Sequence, residues 1–215
     1  DVGISLDGDA DRLVLVDENA QIIDGDTILA ICANDMKKKG LLKNNTIVGT
    51  VMSNLGFIKG MKDLGIQVVQ SQVGDRHVIQ EMIKQDSNLG GEQSGHLIFL
   101  DHNTTGDGLV SALQVLRIMI ETESKLSDLA TVVQRFPQAL VNVKVGSKPP
   151  MCDIHSLQNV IKKVEKDLGD SGRVLVRYSG TENICRVMVE GQKQKLVLEY
   201  ANDIAEIVKE EIGVS

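Results

Sequence analysis

The run Thr46-Ile47-Val48-Gly49-Thr50-Val51-Met52, continued by Ser53 through Leu64 and then Ile66-Gln67-Val68-Val69, decides the fold class. The first segment is apolar and β-branched without polar alternation, which predicts a strand buried on both faces. Ser53 is placed to cap a helix ending near Leu64, and the second apolar run supplies another strand. Two buried strands joined by a helix require a sheet covered on both sides.

The same alternation extends in both directions. Upstream, Asp26 is expected to cap a helix carrying Ile28, Ile31 and Met36, with Gly40 ending it. Downstream, a helix across about residues 75 to 85 precedes the short strand Leu97-Ile98-Phe99-Leu100, and another helix covers about residues 107 to 121. An α/β domain over residues 25–136 follows, closed by a short helix between Ser127 and Phe136-Pro137. A second break falls at Gly146-Ser147-Lys148-Pro149-Pro150. Around it the pattern predicts a strand over residues 139–145, a helix behind Ser156 bearing Leu157, Val160, Ile161, Val164 and Leu168, strands over about 173–178 and 184–190, and a helix over about 194–212. These elements make a smaller α+β domain over residues 137–215. Residues 1–24 carry two short apolar segments, 2–6 and 13–16, around an acidic loop and read as the edge of a truncated unit. A first element so close to residue 1, with no initiating Met, is expected of a fragment or processed product.

Composition narrows the function. The chain has 215 residues, 42% hydrophobic and 25% charged, with a formal charge of −7. Apart from Lys37-Lys38-Lys39 at an expected helix end there is no basic block, so nucleic acid is not expected as a partner. No apolar run reaches the roughly 18 to 20 residues of a membrane helix. Cys32, Cys152 and Cys185 are isolated and odd in number, which fits a reducing cytoplasmic setting and supplies neither a soft metal site nor a nucleophile constellation. His77, His102 and His155 form no metal-ligand grouping.

Asp7, Asp9 and Asp11 stand within Leu6-Asp7-Gly8-Asp9-Ala10-Asp11-Arg12. Carboxylates this crowded repel one another unless a hard divalent cation offsets them, and oxygen ligands suit Mg²⁺. An EF-hand loop is the competing pattern, with Glu18 twelfth from Asp7, but Arg12 occupies the sixth position where that loop needs Gly. A plain acidic turn is the other alternative. Arg12 adds a guanidinium suited to phosphoryl oxygens beside the cation.

Three further loops carry candidate ligands. In Gly90-Gly91-Glu92-Gln93-Ser94-Gly95-His96, Glu92 and Ser94 can serve ligand hydroxyls, with His96 beside them or bonded within the loop. Arg177-Tyr178-Ser179-Gly180-Thr181-Glu182-Asn183 joins two expected strands. There Arg177, the hydroxyls of Ser179 and Thr181, and the Gly180 N–H could hold a phosphate, with Arg186 adding a contact. A hairpin stabilised by Ser and Thr side chains is the alternative. In Val73-Gly74-Asp75-Arg76, Asp75 and Arg76 are candidates to orient a general base or phosphate, although a helix cap with a surface arginine accounts for them too.

The strings Asp7-Gly-Asp-Ala-Asp-Arg12, Gly91-Glu-Gln-Ser-Gly-His96 and Arg177-Tyr-Ser-Gly-Thr-Glu182 occur in the order and separation that resemble the α-D-phosphohexomutase family. Asp101-His-Asn-Thr-Thr-Gly-Asp-Gly108 and Thr50-Val-Met-Ser-Asn-Leu-Gly-Phe57 resemble its bacterial hexosamine-phosphate branch. The resemblance implies four domains around a cleft, with residues 1–24 ending the second, 25–136 forming a third with a mixed sheet, and 137–215 forming the fourth. The first domain, with the phosphorylated catalytic serine, then lies outside this chain. It further implies phosphoryl transfer from that serine through a sugar bisphosphate, converting glucosamine 6-phosphate to glucosamine 1-phosphate. In these terms Asp7, Asp9 and Asp11 hold Mg²⁺ and Arg12 serves the transfer region, while Asp75 and Arg76 stay catalytic candidates on the reading of their own loop. Glu92, Ser94 and His96 meet the sugar, while Arg177, Ser179, Gly180, Thr181 and Arg186 hold the distal phosphate. Partners would be a hexosamine phosphate, a sugar bisphosphate and the remaining domains of the same protein, with homodimerisation of the full length left open. Glucose- or mannose-phosphate specificity and a non-catalytic sugar-phosphate-binding module are the alternatives. The chain departs from the family pattern at Gln72, where Lys is common, at Asn183, where Pro is common, and at Ala10, where Gly is frequent; the last matters if that position has positive φ.

Overall fold

The N-terminal apolar segments form an antiparallel meander. Strand β1 (Gly3–Leu6) pairs with β2 (Leu13–Val16), which pairs in turn with β3 (Ile22–Ile23). Leu13 and Leu15 of β2 face the core, whereas every residue of β1 is exposed, Ile4 and Leu6 included. In the computed structural model, which describes residues 1–214, this meander belongs to one compact unit, Asp1–Arg135, and a second unit begins at Phe136.

Helix α1 (Gly25–Lys38) is capped by Asp24 and not by Asp26. Asp24 has extended backbone and accepts the Thr27 N–H at 3.1 Å, while Asp26 is buried in the first turn and accepts the Asn54 N–H at 2.6 Å. Two neighbouring aspartates look alike in sequence; only the one outside the helix can reach back to the second or third N–H. A similar exchange occurs after β4 (Thr46–Thr50). Ser53 closes the turn by accepting the Thr50 N–H at 3.1 Å, so the strand ends before Val51 and Met52, and Asn54 caps α2 (Leu55–Asp63).

The remainder of this unit comprises β5 (Gln67–Ser71), α3 (Asp75–Gln85), β6 (Leu89–Gly91), β7 (Leu97–Phe99), α4 (Gly108–Thr122) and the short α5 (Leu126–Ala130). The sheet order is β5-β4-β6-β7, with β4 parallel to both β5 and β6 and β7 antiparallel, a mixed sheet. Strand β6 falls in a glycine-rich stretch that reads as loop. A Cβ on Gly90 would lie 2.6 Å from Met82 Sδ and 3.0 Å from Val48 O, so glycine lets α3 settle directly against the sheet. One sheet face packs Ile47, Leu89 and Leu97 with residues such as Ile28, Leu29, Phe57 and Met61, and the other packs Val48 and Ile98 with Val78 and Met82. Each such buried side chain contributes about 1.5–3 kcal/mol relative to exposure. Because β4, β5 and β6 are parallel, the loops that follow them leave from one edge of the sheet, where open α/β sheets bind ligands.

The second unit contains β8 (Gln138–Lys144), α6 (His155–Leu168), β9 (Gly172–Tyr178), β10 (Ile184–Gly191) and α7 (Gln194–Ile212). Its antiparallel sheet runs β8-β10-β9, with α6 and α7 supplying Leu157, Val164, Val197, Ile204 and Val208 to a core shared with Cys185, Val187 and Val189. Helix α6 starts at His155 without a side-chain cap, and Ser156, expected as that cap, lies in the first turn and donates to Glu211 at 2.5 Å. Among the described residues no helix is long and apolar enough to cross a membrane.

Candidate functional site

The acidic segment is the loop of the β1–β2 hairpin, since Leu6 faces Leu13 across the ladder. It is pulled into a tight curve by Ala10 N–H donating to Asp7 O at 3.2 Å and Arg12 N–H donating to Asp7 Oδ1 at 3.2 Å. Ala10 sits at φ 59°, left-handed backbone that glycine adopts without the Cβ penalty. The curve brings one carboxylate oxygen each of Asp7, Asp9 and Asp11 within 4.8 Å of one another. Asp7 and Asp9 are exposed, and Asp11 is half-buried. Arg12 lies 3.9 Å from Asp7, a solvent-exposed pair of little energetic weight that leaves its guanidinium available.

Asp11 shows what this cluster is suited to hold. Its Oδ2 accepts from His96 Nδ1 at 3.0 Å, while its Oδ1 is buried without a hydrogen-bond partner among the described residues. A buried acceptor in that condition costs about 1–3 kcal/mol, and a hard cation shared with two neighbouring carboxylates removes the cost. The donor set is all oxygen, so it fits Mg²⁺ better than softer metals. The bond to His96 fixes the carboxylate orientation, the usual work of a partner behind a metal ligand.

His96 is only 4% exposed and is held on several sides. Its carbonyl accepts the Glu92 N–H at 2.9 Å, Gly95 N–H donates to Glu92 O at 3.0 Å, and Leu13 N–H donates to Gly95 O at 3.0 Å. Gly95 has φ 94°, and a Cβ there would lie 2.1 Å from Leu13 O, so glycine is required where this loop is stitched to the acidic hairpin. Gly106 presses on the imidazole, because its Cβ would stand 2.3 Å from Cε1 and 2.4 Å from Nε2 of His96. Ser94 is exposed at the loop tip, and Glu92 is half-buried.

Glu92 in turn recruits the loop after β5. Its Oε1 accepts the Gly74 N–H at 2.9 Å, with Gly74 at φ 120° just before α3. Asp75 and Arg76 follow on the exposed first turn of that helix, and Asp75 Oδ1 accepts the Arg76 N–H at 2.6 Å. The first unit therefore links Asp7, Asp9, Asp11 and Arg12 to His96 and Glu92 and, through Gly74, to the Asp75–Arg76 turn. Gly74 and Gly106 were not singled out as ligand-positioning residues from sequence, because their contacts run to residues far along the chain.

The second unit carries its own polar loop. Arg177 on β9 stands directly opposite Arg186 on β10, a like-charge pair that favours an anion between or beside the guanidinium groups. Partial burial, and then the Arg186 charge, draw the Arg177 pKa below the usual guanidinium range. Arg186 Nη2 lies 3.4 Å from Glu182 Oε2, whereas its Nε is buried without a hydrogen-bond partner among the described residues. Gly180 and Thr181 are exposed. Ser179 is 5% exposed and braces the turn, its hydroxyl oxygen accepting the Glu182 N–H at 3.3 Å. Two contacts with the 147–150 stretch complete the loop: Lys148 Nζ donates to Ser179 O at 3.0 Å and Glu182 O at 2.9 Å, and Tyr178 Oη donates to Pro149 O at 2.8 Å. In sequence that stretch reads only as a break in composition.

Comparison with known proteins gives concordant matches. Residues 24–136 match the family model described as phosphoglucomutase/phosphomannomutase, alpha/beta/alpha domain III, and residues 140–207 match that family's C-terminal domain. The chain is 73% identical over 215 residues to a phosphoglucosamine mutase of Protochlamydia amoebophila and 60% identical over 214 residues to one of Chlamydia abortus. It is covered completely in both alignments and spans 47% of each relative, about half the length of these curated proteins. A crystal structure of N-acetylglucosamine-phosphate mutase in its product complex superposes with a TM-score of 0.78 at 25% identity, covering 97% of this chain and 49% of that one. Aspergillus fumigatus N-acetylphosphoglucosamine mutase, solved with GlcNAc-6P and magnesium, shares the fold with a TM-score of 0.80 at 22% identity, covering 98% and 49% respectively.

Proposed function

Because this chain belongs to the phosphoglucomutase/phosphomannomutase family, we propose that its full-length protein interconverts glucosamine 6-phosphate and glucosamine 1-phosphate. The reaction would pass through a phosphoserine, carried in the length of the relatives that this chain does not span, and a sugar bisphosphate. The phosphoryl group leaves serine for the free sugar hydroxyl, whose proton passes to a base; the other phosphate then returns to serine. No atom is gained or lost overall, so the reaction is an isomerisation. The observation that carries this proposal is the cluster of Asp7, Asp9 and Asp11 with a buried, unpartnered oxygen on Asp11, fastened to the Glu92–His96 loop.

Each group then has a physical task. Bound Mg²⁺ would supply neutralisation of phosphoryl charge. Asp7, Asp9 and Asp11 would hold it, with His96 fixing the Asp11 carboxylate, and Arg12 would grip phosphoryl oxygens with a planar fork. Glu92 and Ser94 take sugar hydroxyls through bonds that can be exchanged when the bisphosphate reorients. Asp75 and Arg76 extend the polar rim beside Glu92. Arg177, Arg186, Thr181 and the Gly180 N–H hold the phosphate that is not reacting, with Ser179 bracing their loop. Phosphoryl transfer is chiefly a matter of positioning and charge, which this division of labour supplies. The unpaired cysteines, two of them buried, fit a reducing cytoplasmic setting.

Steady-state assays of the full-length protein on glucosamine 6-phosphate and glucose 6-phosphate, with and without Mg²⁺, test the proposal. Preference for the amino sugar and loss of turnover on chelation are expected, together with a loss of about a hundredfold or more in Asp11→Asn. Equal or better turnover of glucose 6-phosphate would overturn the assigned specificity. Metal-independent turnover would overturn the role given to the aspartates.

A further inference from the structure

Lys148 lies outside every motif that pointed to a site, yet its ammonium holds both ends of the Ser179–Glu182 turn, donating to Ser179 O at 3.0 Å and Glu182 O at 2.9 Å. The Tyr178 hydroxyl ties the 147–150 stretch to β9, donating to Pro149 O at 2.8 Å. We infer that Lys148 is a positioning residue that presets the peptide groups of this turn for phosphate. The inference rests on the phosphate role proposed above for Arg177 and its loop.

The argument begins with the peptide plane. In a trans peptide the C=O and the following N–H point in opposite directions, so holding Ser179 O against Lys148 turns the Gly180 N–H to the opposite side. Holding Glu182 O does the same for the Asn183 N–H. Gly180 is exposed, and nothing beyond its chain neighbours lies within 4 Å of its would-be Cβ, so that face of the residue is open. Glycine also tolerates either sign of φ, which keeps the torsional cost of flipping the Ser179–Gly180 peptide low. A flipped peptide would aim a carbonyl oxygen where a phosphate oxygen should sit and replace attraction with repulsion. Lys148 opposes the flip by attracting carbonyl oxygens to its own side, and its charge adds to that of Arg177 and Arg186. Asn183 gives the turn no ring to stiffen it, which leaves more of the ordering to this lysine.

The test uses the whole 215-residue chain, with inorganic phosphate and then glucosamine 6-phosphate titrated while the Gly180 and Thr181 amides are followed by NMR. Hydrogen exchange of residues 180–183 is measured in parallel without ligand. Lys148→Met should weaken the saturable response about tenfold and speed exchange across the turn by a similar factor. Lys148→Arg, which keeps charge and donors, should recover most of both effects. Tyr178→Phe should speed exchange while leaving more affinity than Lys148→Met, because the positive charge remains. Wild-type affinity and exchange in Lys148→Met would overturn the inference while leaving the phosphate role standing. No saturable response in the wild type would overturn the phosphate role, and the inference with it. Faster exchange with unchanged affinity would make Lys148 a structural brace and overturn its role in presetting the site.

Discussion

Replacing Gly106 by Ala adds one methyl group against a buried imidazole whose other nitrogen orients Asp11. The new Cβ would stand 2.3 Å from Cε1, 2.4 Å from Nε2 and 2.6 Å from Nδ1 of His96, against ordinary contact at 3.4–4 Å. Relieving the clash requires the ring to retreat by about 1 Å, an overpacking cost of about 1–3 kcal/mol. That movement stretches the 3.0 Å bond from His96 Nδ1 to Asp11 Oδ2 past useful length, adding about 1.5–3 kcal/mol for a hydrogen bond to a charged group. The first unit should therefore lose about 2.5–6 kcal/mol, and Mg²⁺ affinity should fall about tenfold or more as Asp11 loses its support. Native-state hydrogen exchange at core amides such as Leu97 reads the stability of this unit by itself, and calorimetric titration reads the metal. If Gly106→Ala protects those amides to within about 0.5 kcal/mol of wild type and binds Mg²⁺ equally well, the coupling between Gly106, His96 and Asp11 is refuted.

Ala10→Gly should stabilise the first unit by up to about 1 kcal/mol, because φ 59° no longer carries a Cβ, less the entropy glycine adds to the unfolded chain; urea unfolding that shows a loss above about 0.5 kcal/mol contradicts this. Burial pushes the Cys32 thiol up to about 12 from an ordinary value of 9.0. Its contribution to stability is therefore complete below pH 9 and lost as pH rises toward 12. A stability profile over that range should fall less steeply in Cys32→Ala than in wild type, and a thiol reagent at pH 8 should modify the exposed Cys152 well before Cys32 or Cys185. Arg173→Met removes the partner that bonds the fully buried Glu190 at 2.6 Å, so chemical denaturation should register a loss of about 3 kcal/mol in the second unit. A loss below about 1 kcal/mol would show that Glu190's other contacts suffice.

Local sequence carried most of the secondary structure. The helix over residues 194–212 was expected with the same bounds as α7, since an uninterrupted apolar stripe runs between polar ends. Capping was harder, because Asp24 and Asp26, or Ser53 and Asn54, offer similar side chains two or one positions apart, and tertiary bonds decide which faces outward. Strand β6 was missed for a different reason: Gly90 has poor strand propensity by itself and is present for the closeness of Met82. Within the candidate site, the aspartate spacing, Glu92 and the Arg177 loop were legible because their chemistry is crowded into a few residues. Gly74, Gly106 and Lys148 were not, since each acts on an atom about 10 to more than 30 positions away, a pairing that only the folded chain reveals.

On the sugar-binding role proposed for Glu92, the hydrogen bond it accepts from Gly74 bears on how hexose preference can be redesigned. Grafting residues 92–96 from a relative of different specificity would deliver a new carboxylate to a foreign anchor, whose amide sits at the height and angle suited to the old one. The transplantable module is the pair of loops together, and chimaeras that exchange residues 72–76 with 92–96 should inherit a donor's selectivity more faithfully than those that exchange either alone.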